Sequence, residues 1–206
     1  MWINVISWYK LVISKIKKAD FIALLLIRLF LIPVIFAGAH SKVMGFSGTV
    51  AWFAQPTAEG GLGLPFPWLL AFLATSTEVL GLICITLGLF TRIIAIPMIV
   101  VMSVASLMVH WSHGWLAIAS NSMESSQRMT AFLQWLMENF PGRYNYITQL
   151  GDPIILNNGI EFSATYFIML LVLLIYGGGK YVSVDYWLTK VTPVWRNQKS
   201  NTALKS

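Results

Sequence analysis

The chain has 206 residues, of which 57% are hydrophobic and only 11% are charged, and its formal net charge is +6. An ordinary soluble domain carries about 25% charged residues, and a mean hydropathy of +0.70 is too high for a single water-soluble core. The composition therefore excludes an ordinary soluble domain and indicates a protein dissolved in the lipid bilayer, with anionic lipid rather than nucleic acid as the partner of its basic charge.

The first residues predict a basic amphipathic helix on the membrane surface. Apolar side chains recur at helical spacing between Trp2 and Ile16, and Lys10 and Lys17 fall on the opposite face. A signal peptide is the alternative, because the next apolar run ends in Ala37-Gly38-Ala39. That run is longer than a typical signal sequence and contains Arg28, which favours a retained span.

Four apolar stretches are long enough, or nearly so, to cross a bilayer core of about 30 Å. The predicted spans are 21–39, 66–90, 93–109 and 160–176. Only Thr91 and Arg92 separate the second span from the third, which predicts a tight antiparallel hairpin. The predicted fold is all-α, a membrane four-helix bundle with amphipathic surface helices, in one domain over residues 1–195. We expect the polar tail, residues 196–206, to be disordered.

Basic residues beside the spans predict the orientation of the chain. They lie before the first span, between the second and third, and after the fourth: Lys10, Lys15, Lys17, Lys18, Arg92, Lys180 and Lys190. All three places fall on one side of the membrane, which the positive-inside rule makes cytoplasmic. Both termini are therefore expected in the cytoplasm.

Two loops lie on the opposite, outer side. Residues 41–65 are rich in glycine and proline, and residues 111–159 form a loop long enough to need structure of its own. Within the second loop, apolar side chains between Met129 and Phe140 recur at helical spacing until Pro141. This pattern predicts an interfacial helix, which acts either as a lipid-facing anchor or as a moving lid.

Charged side chains inside a membrane span are costly, so each is a candidate functional residue. Arg28 lies about two turns into the first span and Glu78 lies near the middle of the second, and an extended arginine can bridge their difference in depth. The sequence therefore predicts a buried Arg28–Glu78 ion pair. Such a pair either pins the two spans together or presents a carboxylate that a ligand uses.

The three histidines fall toward the outer side and indicate a second candidate site. His110 and His113 have helical i, i+3 spacing, His40 ends the first span, and Glu161 enters the fourth. Nearby methionines would make the set better suited to copper(I) than to zinc. The alternative is that these residues belong to the membrane interface and to helix packing.

Several other chemistries are excluded by the motifs. The chain contains no Gly-x-Ser-x-Gly nucleophile motif, no phosphate-binding loop of the Walker type and no dinucleotide fingerprint between a strand and a helix. The single cysteine, Cys84, excludes a disulfide or a dithiol relay within the chain.

Short motifs recur in a familiar order relative to the spans. They are Arg28, then Phe36-Ala37-Gly38-Ala39-His40-Ser41-Lys42, then Glu78 with Gly81, then Leu87-Gly88-Leu89-Phe90-Thr91-Arg92, and finally Gly177-Gly178-Gly179 followed by Ser183-Val184-Asp185. This set resembles the DoxX family of small four-span membrane proteins. The long outer loop is similar to the HvfX branch, which is associated with the maturation of copper-binding peptides.

The resemblance implies a protein of the bacterial inner membrane and leaves three functions open. In the first, the chain is a membrane subunit of a redox system, Arg28 and Glu78 line or brace a site for a hydrophobic carrier such as a quinone, and the outer loops meet a partner protein. In the second, His40, His110 and His113 handle copper or assist peptide maturation. The third is a non-catalytic scaffold. Catalysis by the chain itself and formation of a homo-oligomer are left open.

Overall fold

The computed structural model describes residues 8–14 and 19–191, and regular structure in these ranges is helical. The named helices are α1 (Asp20–Met44), α2 (Phe46–Ala54), α3 (Pro67–Leu87), α4 (Thr91–Val104), α5 (Glu124–Asn139), α6 (Pro141–Thr148), α7 (Glu161–Tyr176) and α8 (Val184–Val191). Short turns of π-helix (Ala105–His110) and 3-10 helix (Trp111–His113) continue α4. The all-α fold class predicted from the sequence is confirmed for the described residues.

Within residues 8–14 and 19–191, three helical stretches are long and apolar enough to cross a membrane. They are Asp20–Met44, Pro67–Leu87 and Thr91–His113, and they correspond to the first three predicted spans. The fourth, α7, is apolar but has only 16 residues, so its length is about 24 Å against a bilayer core of about 30 Å. The fourth span and the complete four-helix bundle remain predictions.

Helix α3 ends three residues earlier than predicted because a glycine cap stops it. Gly88 adopts a left-handed backbone conformation with φ +64°. The N–H of Leu89 donates to the carbonyl of Cys84 at 2.9 Å, and the N–H of Gly88 donates to that of Ile85 at 3.3 Å. These two bonds form a Schellman motif, which satisfies carbonyls that the helix end would leave free.

The chain divides into two compact units, which are described separately. Unit 1 consists of residues 1–101 and 166–206, and unit 2 consists of residues 102–165. The single domain proposed for residues 1–195 remains a prediction.

In unit 1, a small core of apolar side chains is fully buried, while many others face outward. Leu31 of α1, Ile85 of α3, Met98 of α4 and Leu173 of α7 are almost inaccessible. Large apolar residues on the same helices, such as Leu29, are about half exposed. Outward-facing apolar residues are expected where the surrounding solvent is lipid.

Unit 2 contains the amphipathic helix predicted in the outer loop, here α5. Leu136 of this helix is buried, whereas Phe132 and Trp135 are half exposed and lie 6.1 Å apart between ring centroids. A short antiparallel bridge joins Ile118 to Leu156 elsewhere in the unit. The predicted helix is confirmed, and its roles as an anchor or a lid remain predictions.

Two features predicted at the termini lie largely outside the described residues. Of the amphipathic helix expected between Trp2 and Ile16, residues 8–14 are described and are helical. The tail predicted over residues 196–206 lies entirely outside the described ranges.

Candidate functional site

Glu78 of α3 and Lys42 of α1 form a partly buried ion pair in unit 1. The Nζ atom of Lys42 lies 2.8 Å from each carboxylate oxygen of Glu78. The side chain of Glu78 is only 7% exposed, whereas that of Lys42 is 25% exposed. The carboxylate of Glu78 is therefore buried on a membrane-length helix and neutralised by an ammonium group that is still partly accessible.

The positions of these two residues on their helices explain why they meet. Glu78 lies near the middle of α3, and Lys42 lies in the last turn of α1. A helical side chain leans toward the N-terminus of its own helix, so Lys42 reaches back into α1 instead of extending outward to the membrane surface, as a terminal lysine often does. Lys42 therefore binds the carboxylate of Glu78 and does not extend toward water at the membrane surface.

Gly38 provides the space that the carboxylate occupies. A Cβ atom built on Gly38 would lie 3.1 Å from Oε2 of Glu78, which is closer than an ordinary carbon–oxygen contact. Gly38 precedes Lys42 by one helical turn, so the short motif at the end of α1 supplies both the ammonium group and the space beside it.

Unlike Glu78, which pairs with a charged side chain, Arg28 is stabilised by hydrogen bonds to backbone carbonyls. It is 2% exposed, and in the described part of the chain it donates four hydrogen bonds of 2.8–2.9 Å. The acceptors are the carbonyl oxygens of Ile85, Thr86, Gly178 and Val182. Arg28 thereby joins α1, the end of α3 and the segment that follows α7.

The predicted Arg28–Glu78 ion pair is wrong, although both residues are buried as expected. The carbonyls in the last turn of α3 carry the negative end of the helix dipole, so those of Ile85 and Thr86 attract the guanidinium group of Arg28. Lys42 takes the carboxylate instead. Lys42 lies beyond the predicted first span, 21–39, and was identified in the sequence only as a motif residue.

Asp185 ties the segment after α7 to the turn between α3 and α4. Its carboxylate accepts hydrogen bonds from the N–H groups of Phe90 at 2.7 Å and Thr91 at 2.9 Å. Its own N–H donates to the carbonyl of Gly88 at 3.0 Å. A carboxylate at the first residues of α4 also compensates the positive end of that helix.

Glycines allow these segments to come together. A Cβ atom on Gly88 would lie 2.6 Å from Cβ of Ser183, and one on Gly178 would lie 2.7 Å from Oγ1 of Thr91. Both distances are too short for any side chain. We call the cluster of Arg28, Gly88, Gly178, Ser183 and Asp185 the Arg28 lock.

The remaining motif glycines and Arg92 lie beside this lock or between it and Glu78. Gly177 and Gly179 have positive φ angles of 80° and 95°, and a Cβ atom on Gly177 would lie 3.3 Å from Nε of Arg92. Gly81 accommodates Met98, whose Sδ would lie 2.5 Å from an added Cβ atom. These motif positions therefore serve close packing in unit 1.

The residues predicted to bind metal lie in different units and make other contacts. In unit 1, His40 is exposed and stacks on Phe36 with ring centroids 5.6 Å apart. In unit 2, Nδ1 of His110 lies 2.8 Å from the carbonyl oxygen of Asn158, and the carboxylate of Glu161 accepts the N–H of Ala117 at 3.0 Å.

No group of three or more His, Cys, Asp or Glu side chains placed to hold a metal ion occurs among the described residues. The exposed His113 has its Nδ1 atom 3.3 Å from the hydroxyl of Ser112. The metal site composed of His40, His110, His113 and Glu161 therefore remains a prediction from the sequence alone.

Comparison with known proteins agrees with the motifs in the first half of the chain. Residues 23–111 match the DoxX family. The inner membrane protein YphA of Escherichia coli (strain K12) is 37% identical over 75 residues, which are 36% of this chain and 49% of YphA. The match thus covers about half the length of YphA. No solved structure matches the present chain. The residues that match this family include Arg28, Lys42 and Glu78.

Proposed function

We propose that the chain is an inner-membrane subunit of a redox system, in which the Glu78–Lys42 pair binds the polar head group of a hydrophobic carrier such as a quinone. The name of YphA and the DoxX match support the membrane location. The observation that carries the proposal is the pair itself. The Nζ atom of Lys42 on one membrane-length helix lies 2.8 Å from the carboxylate of Glu78 on another, and Lys42 is partly accessible.

A purely bracing role is less well supported for this pair than for Arg28. The Arg28 lock already joins α1, α3 and the segment after α7 through backbone carbonyls. Burying the Glu78–Lys42 pair has a high desolvation cost and gains little net stability over apolar packing. An ion pair in such a place is therefore a functional candidate.

The chemistry of the pair suits a quinone. Quinone carbonyl oxygens accept hydrogen bonds, and the ammonium of Lys42 is a donor of three. The long apolar tail of such a carrier needs an apolar surface beside the head group. Exposed apolar residues such as Phe36 on α1 and Leu80 on α3 provide such a surface on the two helices that carry the pair.

Binding of decylubiquinone to the purified protein in lipid nanodiscs tests the proposal. We expect Glu78→Gln and Lys42→Met to weaken binding by about tenfold or more, since loss of a charge-assisted hydrogen bond is equivalent to about 1.5–3 kcal/mol. Glu124→Gln is the matched control, because Glu124 forms an exposed ion pair with Arg128 in unit 2. Absence of binding by the unaltered protein, or equal binding by all variants, contradicts the proposal.

The partner protein expected on the outer side also remains a prediction within this function. Gentle extraction of the tagged chain from native membranes, followed by mass spectrometry, tests it. Recovery of an oxidoreductase subunit supports the redox function, whereas recovery of copper-handling or peptide-maturation proteins favours the HvfX-like alternative.

A further inference from the structure

We propose that the Glu78–Lys42 site is entered only from the Lys42 end of α1, and that Lys42 selects ligands whose head group accepts hydrogen bonds. This inference rests on the proposed carrier-binding function and adds to it a route of entry and a ligand class. Four features of unit 1 support it: the closed Arg28 end, the apolar layer beside it, the open Lys42 end and the unused donor of Lys42.

The end of α1 that carries Arg28 is closed. Arg28, Thr91 and Ser183 are all nearly inaccessible there. An added Cβ atom on Gly178 would lie 2.7 Å from Oγ1 of Thr91, so the packing leaves no room even for a methyl group. A ligand head group cannot pass through such packing without opening the Arg28 lock.

An apolar layer separates the lock from the carboxylate. Leu31 on α1 and Ile85 on α3 are buried between the level of Arg28 and the level of Glu78. Met98 of α4 fills the space beside Gly81, where an added Cβ atom would lie 2.5 Å from its Sδ atom. This layer provides no polar group that would stabilise a head group on the way.

The Lys42 end is more open than the rest of the site. Lys42 lies in the last turn of α1, and its side chain is 25% exposed against 7% for Glu78. An entering head group therefore meets the ammonium before it meets the carboxylate. The order of contact makes Lys42 the recognition group.

The hydrogen-bonding capacity of Lys42 defines the ligand class. An ammonium has three donors and no acceptor, and the two contacts with Glu78 use two of them. Among the described residues the ammonium has no acceptor besides Glu78, so the third donor is available to a ligand oxygen. A carbonyl or anionic oxygen fits this group, whereas a cationic head group is repelled by it.

Cysteine accessibility tests the route of entry. In a Cys84→Ala background, Thr57→Cys reports the Lys42 end, since it lies in the segment after α2, which follows α1 directly. Lys180→Cys reports the Arg28 end, where Lys180 lies 3.4 Å from Asp20. Right-side-out and inside-out vesicles are treated with a membrane-impermeant thiol reagent. We expect Lys42→Cys to react from the same face as Thr57→Cys and Thr91→Cys to react from neither face.

A second variant keeps this test independent of folding. Lys42→Cys leaves Glu78 buried without its partner, so the double variant Lys42→Cys/Glu78→Gln, which carries no unpaired carboxylate, is labelled in parallel. Reaction of either variant from the Lys180 face overturns the proposed route.

Protection of Lys42 in the unaltered protein tests the ligand class. Acetylation of Lys42 by acetic anhydride is followed by mass spectrometry with decylubiquinone, decanoate or decyltrimethylammonium present. With a ligand at about ten times its Kd, we expect about a tenfold decrease in acetylation for the first two compounds and none for the third. Protection by decyltrimethylammonium would contradict the proposal that Lys42 selects head groups that accept hydrogen bonds.

The outcomes separate this inference from the proposed function. Protection by decanoate but not by decylubiquinone contradicts the quinone function, while it supports Lys42 as the recognition group for acceptors. Protection by decylubiquinone, with labelling from the Lys180 face, supports the quinone function and overturns the one-sided route.

Discussion

Glu78 and Arg28 are both buried charges, and each is satisfied by a different kind of group. Glu78 contacts an ammonium at 2.8 Å, whereas Arg28 contacts carbonyl oxygens at the end of α3 and in the segment after α7. Arginine suits the second environment because its planar group presents donors in several directions. The identity of each cation therefore follows from the geometry of its acceptors.

The partial exposure of Lys42 predicts unequal effects of breaking the ion pair. Removing one partner of a buried pair costs about 3–5 kcal/mol when the other stays buried. After Glu78→Gln, Lys42 can extend outward, whereas after Lys42→Met the carboxylate stays buried. We expect Lys42→Met to lower the melting temperature more than Glu78→Gln, and the double variant to recover part of the loss.

Thermal unfolding in detergent, followed by size-exclusion chromatography, measures these differences. Equal effects of the two single variants, or simple addition in the double variant, would show that the two side chains are not coupled.

Arg28→Lys is expected to destabilise the protein although it preserves the charge. Lysine has one compact ammonium group and cannot reach four carbonyls on two segments at once. Leaving buried carbonyls without donors costs about 1–3 kcal/mol each. Arg128→Lys is the control, because Arg128 is exposed in unit 2. A melting temperature that falls equally in both variants would contradict the structural role of Arg28.

At the scale of the elements, the turn between α3 and α4 and the segment after α7 depend on each other. Asp185 holds the first residues of α4, and the glycine cap of α3 lies against Ser183. These contacts join parts of the chain that are far apart in sequence. The glycine-rich segment is therefore a packing surface, and its close contacts predict sensitivity to small substitutions.

Gly178→Ala tests this close packing. The added methyl group would lie 2.7 Å from Oγ1 of Thr91 and 2.9 Å from Cβ of Ser183, and overpacking of this kind costs about 1–3 kcal/mol. Gly142→Ala in α6 is the control, because an added Cβ atom there meets nothing within 4 Å. We expect a lower melting temperature for Gly178→Ala only, and partial recovery in Gly178→Ala/Thr91→Ala. Equal stability of the two single variants would contradict the proposed contact.

At the scale of the whole molecule, the positive-inside rule and the length of α7 make a joint prediction. If α7 crosses the membrane despite its 16 residues, it adds a fourth crossing to those of the three membrane-length helices in the described residues. An even number of crossings returns the chain to the side on which it began. The basic flanks then place both termini in the cytoplasm. Local thinning of the bilayer would offset the short length of α7 at a modest cost.

Reporter fusions measure this topology. Green fluorescent protein fused after residue 206 is expected to fluoresce, and alkaline phosphatase inserted at Gly60 is expected to be active. Loss of fluorescence from the C-terminal fusion would show that α7 does not cross or that the orientation is reversed. The fusion at Gly60 distinguishes these two explanations.

The sequence by itself indicated that the protein lies in a lipid bilayer. It also predicted the three membrane-length helices of the described residues, the helix in the outer loop and the positions of the motifs. These features follow from hydropathy and helical periodicity, which are properties of neighbouring residues. The glycines at 38, 88 and 178 were identified in the sequence only as motif residues, and the close approach of other groups to them is visible only in the structure.

Only the tertiary structure decided the partners of the buried charges. Depth along the spans favoured Arg28 as the partner of Glu78, but the actual partner depends on which helix faces oppose each other and where α3 ends. Gly88 ends α3 where the carbonyls of its last turn face Arg28, while Lys42 reaches back along α1 and neutralises the carboxylate of Glu78. Such long-range choices depend on packing between distant segments, because the pairing of a buried charge is settled by whichever group the fold brings within hydrogen-bonding distance.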